Sequence, residues 1–243
     1  MTIKKLQVCS IHNLLQVNNL RKDSTDLQMD QVFISGAYSK ANVKILGTDP
    51  GVSAAFNGGT HMPFEDIAVM RSIPEIKIVE ITDNVAAKAL FPQIEKDYGM
   101  YYVRMVRANV DKVYEEGSTF EIGKGNILQD GSDVTLIAYG VMVSESLKAA
   151  KLLEEQGISA RVVDMFTIRP LDRDLVVKCA QETGAIVTAE NHSVNGGLGD
   201  AVTQVVMQEQ ICPVERVEVL ERFGQTGDMA VLKEEYGLTA EKI

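Results

Sequence analysis

Gly47-Thr48-Asp49-Pro50-Gly51 is followed along the chain by Asn57-Gly58-Gly59-Thr60-His61. The β-branched run at 43–46 reads as a strand, so these glycines mark its exit into a long loop. In open parallel sheets, loops at the carboxyl ends of strands are where ligands sit. A histidine there exchanges protons near neutral pH and donates hydrogen bonds to hydroxyl or carbonyl oxygens. The plainer alternative is that His61 closes the loop through a backbone bond. A helix is expected over 64–72, with Pro63 near its first turn, where a missing N–H costs little. Glu65 and Asp66 fall where the helix dipole favours negative charge.

A second glycine cluster, Gly196-Gly197-Leu198-Gly199, opens another helical pattern beside His192. It is either an anion cradle at a helix N-terminus or a tight turn at a contact. It lacks the strand-linked order of dinucleotide sites, which favours the turn. His192 reads as structural or interfacial, and Met62, Met70, Met105 and Met165 as packing residues.

The elements that must position these residues alternate. Strands are expected at 43–46, 77–82 and 101–106, with helices at 64–72 and 85–97. A polar, glycine-bearing stretch at 115–133 interrupts the rhythm and marks a domain boundary. Strands then follow at 134–139, 160–165, 185–189 and 214–220, with helices at 144–156, 172–183, 198–208 and 229–236. The expected fold is α/β, with two consecutive parallel-sheet α/β domains. The divisions are a divergent segment at 1–30, a first unit at 31–114, a linker at 115–132 and a second unit at 133–243. Leu6, Val8, Ile11, Leu14, Leu15, Val17 and Leu20 suggest a short amphipathic helix or strand, and 21–30 a loop. Three parallel strands alone leave an exposed sheet edge, so the N-terminal segment or a partner chain is expected to cover it.

The 243 residues are 45% hydrophobic and 24% charged, enough apolar side chain for one large core or two modest ones. No apolar run approaches bilayer-spanning length and no signal peptide is legible, so no membrane partner is expected. The net charge of −10 argues against a nucleic-acid binder. Cys9, Cys179 and Cys212 are widely spaced and show no metal-ligand pattern, which suits a reducing, cytoplasmic location.

Several segments together resemble transketolases. They are Asn42-Val43-Lys44-Ile45-Leu46-Gly47-Thr48, Gly58-Gly59-Thr60-His61, Glu65-Asp66-Ile67-Ala68-Val69-Met70-Arg71 and Tyr101-Tyr102-Val103-Arg104-Met105-Val106-Arg107. In the second unit, Thr167-Ile168-Arg169-Pro170-Leu171-Asp172, Glu190-Asn191-His192 and Arg222-Phe223-Gly224 continue the likeness in family order. The likeness covers residues 31–243 and is greatest to the split form, whose halves are separate chains. It implies a partial pyrimidine-binding domain followed by a transketolase C-terminal domain.

The resemblance implies transfer of two-carbon ketol units between sugar phosphates, as in the pentose phosphate pathway, with thiamine diphosphate stabilising the carbanion. The cofactor is shared with a partner chain, a transketolase N-terminal subunit, and Mg²⁺ is held through that partner only. A homodimer or heterotetramer is implied. By resemblance, His61 is the catalytic, substrate-contacting histidine, and Arg107 contacts the substrate phosphate. Asp49 takes the place of a sugar-binding histidine, and Asn57 of an aspartate, both on the substrate side. The family's Ala-Glu-Gln acid precedes this region and has no match in residues 1–30, so the chain alone is expected to be inactive. The alternatives are a non-catalytic binding or structural subunit, or a relative of deoxyxylulose-phosphate synthase or of a 2-oxo-acid dehydrogenase beta subunit.

Overall fold

The computed structural model describes residues 29–243. The expectations for Leu6 to Leu20 lie outside them; of the loop expected at 21–30, only Met29 and Asp30 are described, and both are helical. They lead into a π-helix at Gln31–Tyr38.

The first sheet contains β1 (Lys44–Thr48), β2 (Lys77–Glu80) and β3 (Tyr101–Met105). The strands run parallel in the order β1-β3-β2, with β7 (Thr167–Arg169) added antiparallel to β2. The edge beside β2 is therefore closed from within the chain, by a short strand of the second half, while among the described residues β1 ends the sheet on the other side. The second sheet holds β4 (Asn126–Gln129), β5 (Val134–Ala138), β6 (Ala160–Asp164), β8 (Ile186–Ser193) and β9 (Val214–Val219). Its order is β4-β6-β5-β8-β9, parallel except for β4. Strand β4 falls inside the stretch expected to be a linker. Its backbone pairs with β6, but it holds only two apolar residues, Ile127 and Leu128, and none of its side chains is fully buried, so no apolar run announces it.

The helices are α1 (Asp66–Arg71), α2 (Asn84–Lys96), α3 (Val141–Glu154), α4 (Arg173–Thr183), α5 (Leu198–Glu209) and α6 (Met229–Tyr236). Asp83, Asp172 and Asp228 cap α2, α4 and α6 by accepting first-turn N–H groups. Gly184 and Gly237 end α4 and α6 in the left-handed conformation. Helix α1 starts later than expected. Pro63 lies before it, with its carbonyl accepting the Gly51 N–H, which keeps 62–64 out of the helix.

The apolar cores ignore the boundary between the halves. Ile45, Ile67, Met70, Ile78 and Tyr102 share one cluster with Ile137, Val163, Ile168, Leu198 and Val202. Met62, Met70 and Met165 are buried in these clusters and Met105 packs against one, as their reading as packing residues expects. Cys179 is buried in a core.

Asp164, at the end of β6, is fully buried and accepts hydrogen bonds from Thr82 Oγ1 (2.6 Å) and Tyr114 Oη (2.8 Å). Its Oδ1 has no partner among the described residues. Burial pushes this carboxyl up to about 7, against the pull of the two hydroxyls. The folded chain thus keeps a proton that the unfolded chain releases near pH 4. The stability this contributes is complete below about pH 4 and is lost as pH rises through about 7. Chemical denaturation of D164N is expected to show a flatter decline in stability between pH 5 and 8 than wild type.

Candidate functional site

The loop between β1 and α1 forms at the carboxyl end of β1, beside the equivalent end of β3. Gly47 passes so close to the Tyr102 ring that a Cβ there would lie 2.6 Å from its Oη. The Asp49 N–H donates to the Met105 carbonyl at 2.9 Å, which fixes the loop to the end of β3. Asp49 has φ +56°, a left-handed conformation that aspartate and asparagine tolerate better than most residues.

Two expected site residues meet here. Asp49 Oδ1 accepts the Arg107 backbone N–H at 2.9 Å, while Oδ2 takes the Arg107 Nε and a terminal guanidinium nitrogen. The carboxylate is buried, whereas 60% of the Arg107 side chain is exposed. The carboxylate therefore holds the root and one edge of the guanidinium while the rest of the side chain faces outward.

Residues Gly51–Asn57 form a 3₁₀ turn, broken at Ala55, and Gly59–His61 a second one. Asn57 ends the first turn and is exposed. His61 is half-buried, with Nδ1 2.8 Å from Thr60 Oγ1. The second half of the chain presses on this loop. A Cβ at Gly59 would strike the Gly224 carbonyl, and one at Gly58 the Thr226 hydroxyl. Val52, Ala54, Met62 and Phe64 pack with Met142, Leu232 and Tyr236, the Phe64 and Tyr236 rings lying 5.3 Å apart.

Asn191, on β8, clamps the loop directly. Its Oδ1 accepts the Val52 N–H at 3.0 Å, and its Nδ2 donates to the Pro50 carbonyl at 2.9 Å. Gly51 has φ +53°, and any side chain there would run into the Asn191 amide. Behind the clamp lies Arg104, which is fully buried. Its Nε donates to Asp66 Oδ2 at 2.7 Å and its Nη2 to the Asn191 carbonyl at 3.3 Å, and it pairs with Glu80. Burial pushes the Glu80 carboxyl up to about 7, with Arg104 pulling the other way.

The glycine cluster before α5 is not an anion cradle. Glu190 already occupies it, accepting from the Leu198 N–H at 2.8 Å, the Gly199 N–H at 2.7 Å and Tyr139 Oη at 2.8 Å. His192 is structural. Its Nδ1 lies 2.8 Å from the Ser193 carbonyl, which calls for a proton on that nitrogen, and its Nε2 accepts from the Ala68 N–H at 3.3 Å.

Sequence reasoning gave no role to Arg104 or Asn191, although both lie in motifs that carried the resemblance. An arginine inside an otherwise apolar strand, Tyr101–Met105, is the signal that was available. Among the described residues, no three His, Cys, Asp or Glu side chains converge as a metal site. The described residues therefore offer no ligand set for a metal-bound diphosphate.

Residues 24–112 match the family described as "Transketolase, pyrimidine binding domain", and 123–243 "Transketolase, C-terminal domain". The chain is 44% identical over 214 residues to the 6-deoxy-6-sulfo-D-fructose transketolase subunit SqwH of Clostridium sp. (strain MSTE9), covering 88% of this chain and 66% of that one. It is 38% identical over 225 residues to a 1-deoxy-D-xylulose-5-phosphate synthase of Heliobacterium modesticaldum, covering 90% of this chain and 35% of that one. It is also similar to a solved structure described as "Split gene transketolase, inactive beta4 tetramer". That match has a TM-score of 0.82 and 39% identity, and covers 93% of this chain and 70% of the other.

Replacing Asn191 with alanine removes both clamping bonds and leaves the Val52 N–H buried without its partner, while the Pro50 carbonyl keeps the Ser53 N–H. The expected cost is about 1–3 kcal/mol, read by chemical denaturation, with faster amide exchange at Val52.

Proposed function

Because the chain belongs to the transketolase family, we propose that it works as the C-terminal subunit of a two-chain transketolase. In this reading it transfers two-carbon ketol units between sugar phosphates together with a separate N-terminal subunit. The observation that carries it is the loop of residues 47–61, built at the carboxyl ends of β1 and β3 and held there by the second half of the chain. Such a loop presents His61, Asn57 and the Asp49–Arg107 pair on one side of the fold's ligand-binding edge.

The family's cofactor, thiamine diphosphate, supplies carbanion stabilisation when bound. We assign it to the space between this chain and the N-terminal subunit, with Mg²⁺ and the diphosphate on the partner's side. This chain's part is to bind and orient substrate. His61 donates a hydrogen bond to, or exchanges a proton with, a substrate oxygen. Asn57 offers both a donor and an acceptor to sugar hydroxyls. Arg107 faces the far end of the sugar with the exposed part of its guanidinium. A chain that supplies only this wall is inactive alone, and its resting assembly is a homo-oligomer or a heterotetramer with the partner. The cysteines, with no pairing pattern, suit a cytoplasmic setting.

The purified chain, the N-terminal subunit, thiamine diphosphate and Mg²⁺ are mixed, and ketol transfer from xylulose 5-phosphate is followed. Turnover is expected only with both chains present. H61A is expected to lower kcat/KM by about 100-fold or more. A folded complex without turnover would point instead to a non-catalytic binding subunit. Unchanged turnover in H61A would remove His61 from the site.

A further inference from the structure

The Asp49–Arg107 pair has the geometry of a charge filter. An exposed arginine at the exit of a strand ordinarily presents a full positive charge, suited to the oxygens of a phosphate dianion. Here the carboxylate is buried directly behind it, and one of its oxygens receives both Nε and a terminal nitrogen. The other oxygen is tied to the Arg107 backbone N–H at 2.9 Å, so the carboxylate does not swing away when a ligand arrives. The left-handed backbone at Asp49 and its N–H bond to Met105 fix the carboxylate further. The wall is therefore a neutral ion pair on a chain whose net charge is −10.

We propose that Asp49 is a specificity-determining residue, which neutralises Arg107 and so lowers the advantage that a dianionic far end of the sugar would otherwise have over a monoanionic or neutral one. This rests on the reading of Arg107 as substrate-facing made above. A phosphate dianion meets both the attraction of the guanidinium and the repulsion of a carboxylate behind it. Each term scales with ligand charge, so the carboxylate costs a dianion about twice what it costs a monoanion. A hydroxyl or a sulfonate loses less and still accepts hydrogen bonds from the exposed guanidinium edge. Asp49 acts through Arg107 and through the field it creates, without touching the reacting atoms.

The test uses the full chain with two simple anions at low ionic strength and pH 8, methyl phosphate as the dianion and methanesulfonate as the monoanion, titrated by calorimetry. D49N keeps the acceptor for the Arg107 N–H, suits the left-handed backbone and removes the charge. It is expected to bind methyl phosphate about tenfold more tightly than wild type, about 1.4 kcal/mol, with a smaller gain for methanesulfonate. The double variant D49N/R107L is expected to lose that gain. D49G, which adopts the same backbone without strain, serves as the second variant if D49N has a depressed unfolding midpoint. Equal methyl phosphate binding by wild type and D49N overturns the filter while leaving Arg107 as an anion contact. A gain that persists in the double variant also overturns it. No binding by D49N or D49G removes Arg107 as an anion contact, and with it the substrate-facing role on which the filter rests.

Discussion

Arg104 is buried with no exposed surface, between Asp66 at the start of α1 and Glu80 at the end of β2. Removing a guanidinium from water is costly unless it is paired and hydrogen-bonded on several sides. Its carboxylates come from the first sheet and its neighbouring helix, and the carbonyl it also reaches, at Asn191, belongs to the second sheet. The requirement to satisfy this one cation thus draws the two halves together. The neighbouring carboxylates hold the guanidinium firmly charged despite its burial. Deleting Arg104 leaves two buried carboxylates without their shared cation, so the cluster depends on the guanidinium being in place.

The site inherits its geometry from that set. Asn191 contributes its carbonyl to Arg104 and its side chain to the 47–61 loop, so a single residue links the buried cation to the loop carrying His61. Arg71 donates to the Gly196 and Gly197 carbonyls, and Arg169 to the Arg71 and Ile73 carbonyls, adding cross-links of the same kind. Strand β7 adds backbone pairing between the halves. The backbone of the loop is thus held by the far half of the chain.

How much of this the sequence disclosed follows from the range over which each feature is determined. Helix α6 was legible to its ends because Asp228 and Gly237 bracket an apolar pattern. Strands β3, β5 and β6 stood out because nearly all their side chains are buried. Strand β4 did not, since it carries only Ile127 and Leu128 as apolar residues, none of its side chains is fully buried, and its backbone pairing defines it. The three-residue β7 is too short to show any period. His61 and Arg107 were visible through their motifs. The pairing of Arg107 with Asp49 depends on a fold that joins residues 58 positions apart, and Arg104 meets its partners across separations of 24 to 87. The carboxylate at 49, which the resemblance puts in the place of a sugar-binding histidine, is engaged by Arg107.

If the buried arginine makes the two halves one cooperative structure, they must open together. Native-state hydrogen exchange in increasing denaturant measures this directly, through the amides of Ile45, Leu46 and Val103 in the first sheet and Leu136, Ile137 and Val187 in the second. All of them are expected to exchange through a common opening with one free energy and one denaturant slope. Opening of the β1–β3 amides at lower free energy, with a smaller slope of its own while the second sheet stays protected, would contradict it.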